Sequence, residues 1–216
     1  MSALIQLFSF DIVGSASYKT HRQGDGEEAP GWIDPFRRFF EELPLIFTAE
    51  VARQFFDEPG ELPEVPVWKA IGDELVFMAR PQNLRELQLL SHACVKAMAK
   101  GNDHFSRSAQ LQIHGVTWSL EEGRRNVAVR FRELEKDRDS VMDLIGPDVD
   151  IGFRLVTHAP AGGVLVPASH AARLDGSGLR VMQVGQTYLK GIRLDAYPLL
   201  LLTGDTGLVE ASSTRT

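Results

Sequence analysis

The sequence is short of cysteine, of long apolar runs and of clustered positive charge, and each shortage removes a class of protein. Cys94 is the single cysteine, so no intrachain disulfide can form. That fits a reducing compartment. Cys94 sits in an apolar helical pattern and reads as buried filler rather than a nucleophile. The longest apolar run, residues 197–202, is strand length and well short of the roughly 18 residues of a membrane helix. The N-terminal segment lacks the basic flank and small-residue cleavage site of a signal peptide, so a cytoplasmic location is expected, with no membrane partner. The formal net charge is −6, which speaks against a nucleic-acid partner because phosphate backbones demand a basic face. A free nucleotide is not excluded, since metal ions bridge carboxylates to phosphates.

Other signatures are missing too. The six histidines have no His-x-x-x-His spacing, so no zinc site is expected. Gly24, Gly26, Gly162 and Gly163 lack the lysine-serine tail of a phosphate-cradling loop. Ser15, Ser17 and Ser91 lack the glycines of a nucleophile elbow. There is no internal repeat.

What remains is an ordinary globular composition, 44% hydrophobic and 24% charged over 216 residues. At roughly 100–200 residues per domain, this is one domain. We place it at 1–203, followed by a polar tail at 204–216. Residues 3–11 read as a buried strand ending in a carboxylate, and 18–30 as a polar loop. Residues 35–56 have helical spacing, with Pro44 expected to split them. Two short strands flank the turn Ile71-Gly72-Asp73, and 84–100 is an amphipathic helix that Gly101-Asn102 should stop. Residues 109–119 and 127–131 read as strands, and 132–139 as a solvated charged stretch. A helix is expected over 149–158, and short strands and a short helix close the chain. The order β-α-α-β-β-α-β predicts an α+β sandwich of ferredoxin-like type, a mostly antiparallel sheet with helices on one face.

Two acids stand where chemistry is possible. Asp11 ends an apolar strand before a turn at Gly14; such an aspartate commonly caps the turn, but it can also ligate a hard cation. Asp73 lies at a hairpin tip, itself an ordinary turn position. If the strand end and the hairpin tip meet at one sheet edge, two carboxylates come together, and a divalent cation relieves their repulsion. A third constellation runs from Asp143 through Gly146 and Asp150 to Arg154. On a helix Asp150 and Arg154 are i and i+4 and share a face. A surface ion pair explains those two, at about 0.3–0.5 kcal/mol, but not the Asp143 and Gly146 that precede them. Trp32, Phe36, Phe39 and Phe40 form an aromatic stripe better suited to core packing or a dimer face than to a cofactor.

Taken in order, these segments resemble the class III nucleotidyl cyclases, the adenylate and guanylate cyclase catalytic domain. Phe8 to Ser15 is similar to the family's Phe-x-Asp-Ile-x-Gly-x-Thr/Ser, with the phenylalanine spacing displaced by one residue. Lys69 to Asp73 matches its Lys-x-x-Gly-Asp. Asp143, Gly146, Val149, Asp150, Arg154 and Leu155 match its Asp-x-x-Gly-x-x-Val-Asn-x-x-x-Arg-Leu, except that Asp150 stands at the asparagine. Gly163 to Val166 and Leu189 to Ile192 resemble its closing strands. That aspartate, the segment 118–139 and the wording around 68–74 and 146–154 look more like the bacterial pyrimidine nucleotide cyclases of the Pycsar anti-phage system.

The resemblance implies a head-to-tail homodimer with composite active sites and a nucleoside triphosphate substrate. It implies two divalent cations, Mn²⁺ or Mg²⁺, held by Asp11, Asp73 and the Ile12 carbonyl. The amides of Val13, Gly14 and Ser15 would hold phosphate oxygens. Arg154 would stabilise the α-phosphate, with Asp150 on a ribose hydroxyl or aiming Arg154. Lys69 and Asp143 would face the base. Lysine only donates and a carboxylate only accepts, so this pair suits any base after a small shift of the ring. Phe10, Phe47 and Trp68 are candidate pocket walls. The preference for UTP over CTP, and for a role in anti-phage defence, rests on the resemblance. An adenylate cyclase, a diguanylate-cyclase-like enzyme built on Ile71-Gly72-Asp73-Glu74-Leu75, and a degenerate nucleotide-binding module are the alternatives.

Overall fold

A computed structural model describes residues 3–23, 29–123, 125–130, 142–192 and 196–204. The tail from 205 and the charged stretch 132–139 lie outside the described residues. One mixed sheet organises the chain, in the order β2-β3-β1-β4-β7-β9-β8. Its strands are β1 (Leu4–Ile12), β2 (Val67–Ile71), β3 (Glu74–Ala79), β4 (Ile113–Glu121), β7 (Val164–Val166), β8 (Arg180–Thr187) and β9 (Tyr197–Thr203). Neighbours are antiparallel except β4 and β7. A separate two-stranded ribbon joins β5 (Val127–Arg130) to β6 (Met142–Ile145). The helices are α1 (Ser15–His21), α2 (Ile33–Gln54), α3 (Leu84–Ala109), α4 (Pro147–Leu155) and α5 (Ala168–Ala171).

The central strand β1 is buried on both faces because helices and loops cover both. Phe8, Phe10 and Ile12 point into a core with Phe36, Phe39, Leu43 and Phe47 of α2 and Leu90, Ala93, Cys94 and Met98 of α3. Ile5 and Leu7 point the other way, into a core with Trp118 of β4 and Val149 and Leu155 of α4. Fully burying each such side chain contributes about 1.5–3 kcal/mol before entropy is counted. The expected helical layer is thus the α2–α3 pair, and α4 lies on the opposite face. Gly152 makes that placement possible: a Cβ there would sit 2.1 Å from the Trp118 ring.

Three local expectations differ. α2 runs unbroken through Pro44, since its buried stripe Phe36, Phe39, Leu43, Phe47, Val51 packs along its whole length. Packing outweighs the roughly 3 kcal/mol that an interior proline costs. α3 passes Gly101-Asn102 and ends at Gln110, which adopts φ 55°. Gly101 serves there as a close-contact residue, 3.0 Å from Ile113 Cδ1 at its would-be Cβ, and the Asn102 side chain accepts the Ile113 amide at 3.0 Å. α1 occupies the start of the expected loop at 18–30.

Candidate active site

The register of β1 decides where the acids lie. Asp11 is opposite Glu74 on β3 and opposite His114 on β4. Glu74 follows directly on the tip Gly72-Asp73, whose Gly72 has φ 65°, as the first position of a tight two-residue hairpin requires. Asp11 and Asp73 therefore meet at one corner of the sheet. Burial, with the charges of both aspartates adding to it, holds Glu74 above the ordinary carboxylate value despite the Ser9 hydroxyl that donates to its Oε1 at 2.5 Å.

Among the described residues the Asp11 carboxylate has two hydrogen-bond partners. Oδ1 accepts the Ile12 amide at 2.9 Å, and Oδ2 lies 3.2 Å from His114 Nε2. His114 Nδ1 faces the Ala159 carbonyl at 2.6 Å, so it carries a hydrogen. Nε2 must then also carry one to bond a carboxylate. Burial pushes His114 toward its neutral form, but the hydrogen bonds and charge of Asp11 and the Ala159 carbonyl outweigh it and raise its pKa above 6.5. Sequence reasoning missed His114 because the search was for paired histidines; only strand register shows it beside Asp11.

The donor set at this corner is hard carboxylate oxygen, which suits Mg²⁺ or Mn²⁺. Among the described residues no three His, Cys, Asp or Glu side chains form a ready-made cage. Such cations are commonly held by one or two carboxylates together with substrate phosphates, and the two acids fit that pattern.

Elsewhere on the same face lies a second group. Lys69 sits opposite Val76, whose side chain belongs to the α4-side core. Its Nζ donates to Asp143 Oδ1 at 2.5 Å and lies 3.7 Å from the centre of the Trp68 ring, a cation–π distance. Trp68 Nε1 donates to the Met142 carbonyl at 2.8 Å, and its ring neighbours Phe153 at 6.4 Å. Of the three candidate walls only Trp68 is here. Phe10 and Phe47 pack against each other in the α2–α3 core, at most 1% exposed.

Arg154 is the last-turn cation of α4, and Asp150 is exposed in its first turn. The i,i+4 ion pair between them is not formed: among the described residues neither side chain makes an ion pair or hydrogen bond. A Cβ at Gly191 would lie 3.7 Å from Arg154, so the closing Lys-Gly segment borders its guanidinium. α4 itself is anchored by Asn126, whose amide donates to Asp148 Oδ2 at 2.8 Å, an arrangement the sequence did not disclose. Near Asp11, the Val13 amide donates to the Gln112 carbonyl at 2.8 Å and is therefore committed. That removes Val13 from the expected phosphate-binding amides.

The chain is similar to the adenylyl cyclase CyaB from P. aeruginosa, at 15% identity and TM-score 0.69, over 96% of this chain and 97% of that one. The fold is that of a class III nucleotidyl cyclase catalytic domain. The same cyclase fold recurs in the guanylate cyclase domain of RhGC from Catenaria anguillulae, solved in complex with GTP, at 14% identity and TM-score 0.64 over 94% and 97% of the two chains. Adenylate cyclases from Trypanosoma brucei share it at 11% identity and TM-score 0.58, over 93% and 88%. No protein-family model and no curated protein sequence matches the chain. Among the described residues no helix is long and apolar enough to cross a membrane.

Proposed function

We propose that the chain is a nucleotidyl cyclase, converting a nucleoside triphosphate into its 3′,5′-cyclic monophosphate and pyrophosphate. The observation that carries this is the meeting of Asp11 and Asp73 at one sheet corner of a cyclase fold, through the β1–β3 register. Asp11, Asp73 and the Ile12 carbonyl would hold two divalent cations. When bound, these would acidify the ribose 3′-hydroxyl and neutralise phosphate charge. Gly14 and Ser15 would supply backbone amides to phosphate oxygens. Arg154, without an ion-pair or hydrogen-bond partner for its side chain among the described residues, would meet charge developing on the α-phosphate. Asp150, exposed and unpaired among the described residues, would accept from a ribose hydroxyl. Lys69 and Asp143, already bonded to each other, would meet the base as one unit with Trp68 beside them.

Among the described residues no ion pair or hydrogen bond joins the acid half to the Lys69–Asp143–Arg154 half within one chain. Arg154 and Lys69 pair with neither Asp11 nor Asp73. That separation supports a head-to-tail homodimer in which each site combines the acids of one protomer with the cationic half of the other. The sheet ends in two edge strands with exposed apolar side chains, Val67 and Ile71 on β2 and Val181, Met182 and Val184 on β8, which a second copy would cover.

The base is read as a pyrimidine, UTP before CTP, with the product a second messenger in anti-phage defence; this rests on the sequence resemblance at 68–74 and 146–154. Purified protein with Mn²⁺ and each of the four ribonucleoside triphosphates tests the whole reading. Cyclic UMP as main product is expected. Cyclic AMP would keep the cyclase and overturn the base choice. A cyclic dinucleotide, or no product from any of the four, would overturn the cyclase.

A further inference from the structure

We infer that His114 is the positioning residue for Asp11, holding that carboxylate in place for cation binding. The inference rests on the two-acid reading above and adds a residue to it.

Asp11 forms the last β1 pair with β3, beside a hairpin tip that carries Asp73 and a buried Glu74. An aspartate there is repelled by both neighbours and is free to swing away from them toward solvent. His114 opposes that. Its side chain is only 9% exposed, and burying an imidazole is costly unless its nitrogens are bonded. Both are. The Ala159 carbonyl takes Nδ1–H at 2.6 Å and fixes the ring plane, leaving Nε2–H aimed at Asp11 Oδ2, 3.2 Å away. The groups facing the pair are Ser9 and Glu74 on β1 and β3 and the backbone of Ala159; among the described residues no lysine or arginine pairs with Asp11. Among the described residues the one donor side chain on the Asp11 carboxylate is therefore His114.

Ala159 also gives the ring a second consequence. It closes the turn that follows α4, four residues beyond Leu155 and five beyond Arg154 in the chain. Through one ring, the orientation of Asp11 is tied to the segment that carries Arg154. Outer groups bonded to metal-binding side chains commonly matter about 10–100-fold in metal affinity.

The test separates the two ring nitrogens. An asparagine amide reproduces the Nδ1 position and a glutamine amide the Nε2 position. His114→Asn keeps the bond to Ala159 and loses the donor to Asp11; His114→Gln keeps that donor. Mn²⁺ is titrated into the full-length protein, and free Mn²⁺ is read by electron paramagnetic resonance, with circular dichroism to check folding. We expect H114N to weaken Mn²⁺ binding about tenfold or more, and H114Q to restore most of it. Equal binding by H114N and the wild type overturns the inference while leaving the two-acid site intact. If the wild-type protein binds no Mn²⁺ saturably, or if D11N binds it as the wild type does, the two-acid reading falls and the inference with it. Should H114N not fold, the wild-type protein still decides: its His114 Nε2 ¹⁵N resonance is expected to move when Mg²⁺ saturates the site, and a stationary signal overturns the role.

Discussion

Lys69 Nζ lies 2.5 Å from Asp143 Oδ1, joining edge strand β2 to the ribbon strand β6 across 74 residues of chain. Both side chains are partly exposed, at 26% and 36%. The pair therefore adds little stability, about 0–1 kcal/mol for exposed pairs. On the proposed reading it serves nucleotide binding. Lys69→Met and Asp143→Asn should leave the thermal midpoint nearly unchanged and raise KM for every nucleotide that is turned over, without a change in which base is preferred. A large drop in stability with unchanged KM would assign the pair to the fold alone.

Among the described residues Arg154 has no side-chain ion-pair or hydrogen-bond partner, so its removal leaves no buried charge behind there. Arg154→Ala should fold as the wild type and lose about 10²–10³ in kcat, the usual effect of removing a preorganised donor to a charged transition state. Steady-state kinetics beside a melting curve check this, and a near-wild-type rate would remove Arg154 from the site.

Gly152→Ala places a methyl group 2.1 Å from the Trp118 ring. Neither the indole nor the helix backbone can yield cheaply, so α4 must shift. Overpacking of this kind costs about 1–3 kcal/mol. Denaturant unfolding should show the loss, and Trp fluorescence should report the displaced ring.

His170 is fully buried and neutral between two hydroxyls, with Ser119 Oγ at 2.9 Å on Nδ1 and Ser91 Oγ at 3.1 Å on Nε2. Ser91 donates to the Leu87 carbonyl, so it accepts from His170 Nε2–H. Burial lowers the imidazole pKa from 6.5 to about 3. The unfolded chain thus binds a proton that the folded chain refuses between those values. Stability attributable to this group is intact above pH 6.5 and falls as pH drops toward 3. Urea unfolding at stepped pH should show that slope in the wild type. A His170 variant that still folds, such as H170Q, should have a flatter profile over the same window; an unchanged slope would contradict the assignment.

Cys94 is buried without exposure, and burial pushes its thiol far up, so it stays unionised. Alkylation by iodoacetamide should be negligible in the native protein and complete in denaturant.

Much of this was legible in the sequence, for reasons that can be named. The place of Asp73 is legible because Gly72-Asp73 between two apolar runs marks a hairpin tip whatever surrounds it. The place of Asp11 is legible because a single acid stands near the end of an otherwise apolar strand. His114 was not, because its partner is 103 residues away and only the β1–β4 register joins them. Gly101 was misread as a helix stop, since a glycine needed for close contact with Ile113 looks the same in sequence as one needed to end a helix. The sequence leaves Phe10 and Phe47 open as pocket walls, because strand faces cannot be assigned until the helices are placed. Their ring contact at 5.4 Å puts them in the opposite core.

The central claim is that each active site is divided between two copies of the chain. Mixing Asp73→Ala with Arg154→Ala tests it most directly, because each variant alone is expected to be inactive. In a divided site, random pairing gives mixed dimers with one intact site, and activity should return to about a quarter of the wild-type rate. A mixture as inactive as its two components would contradict the account.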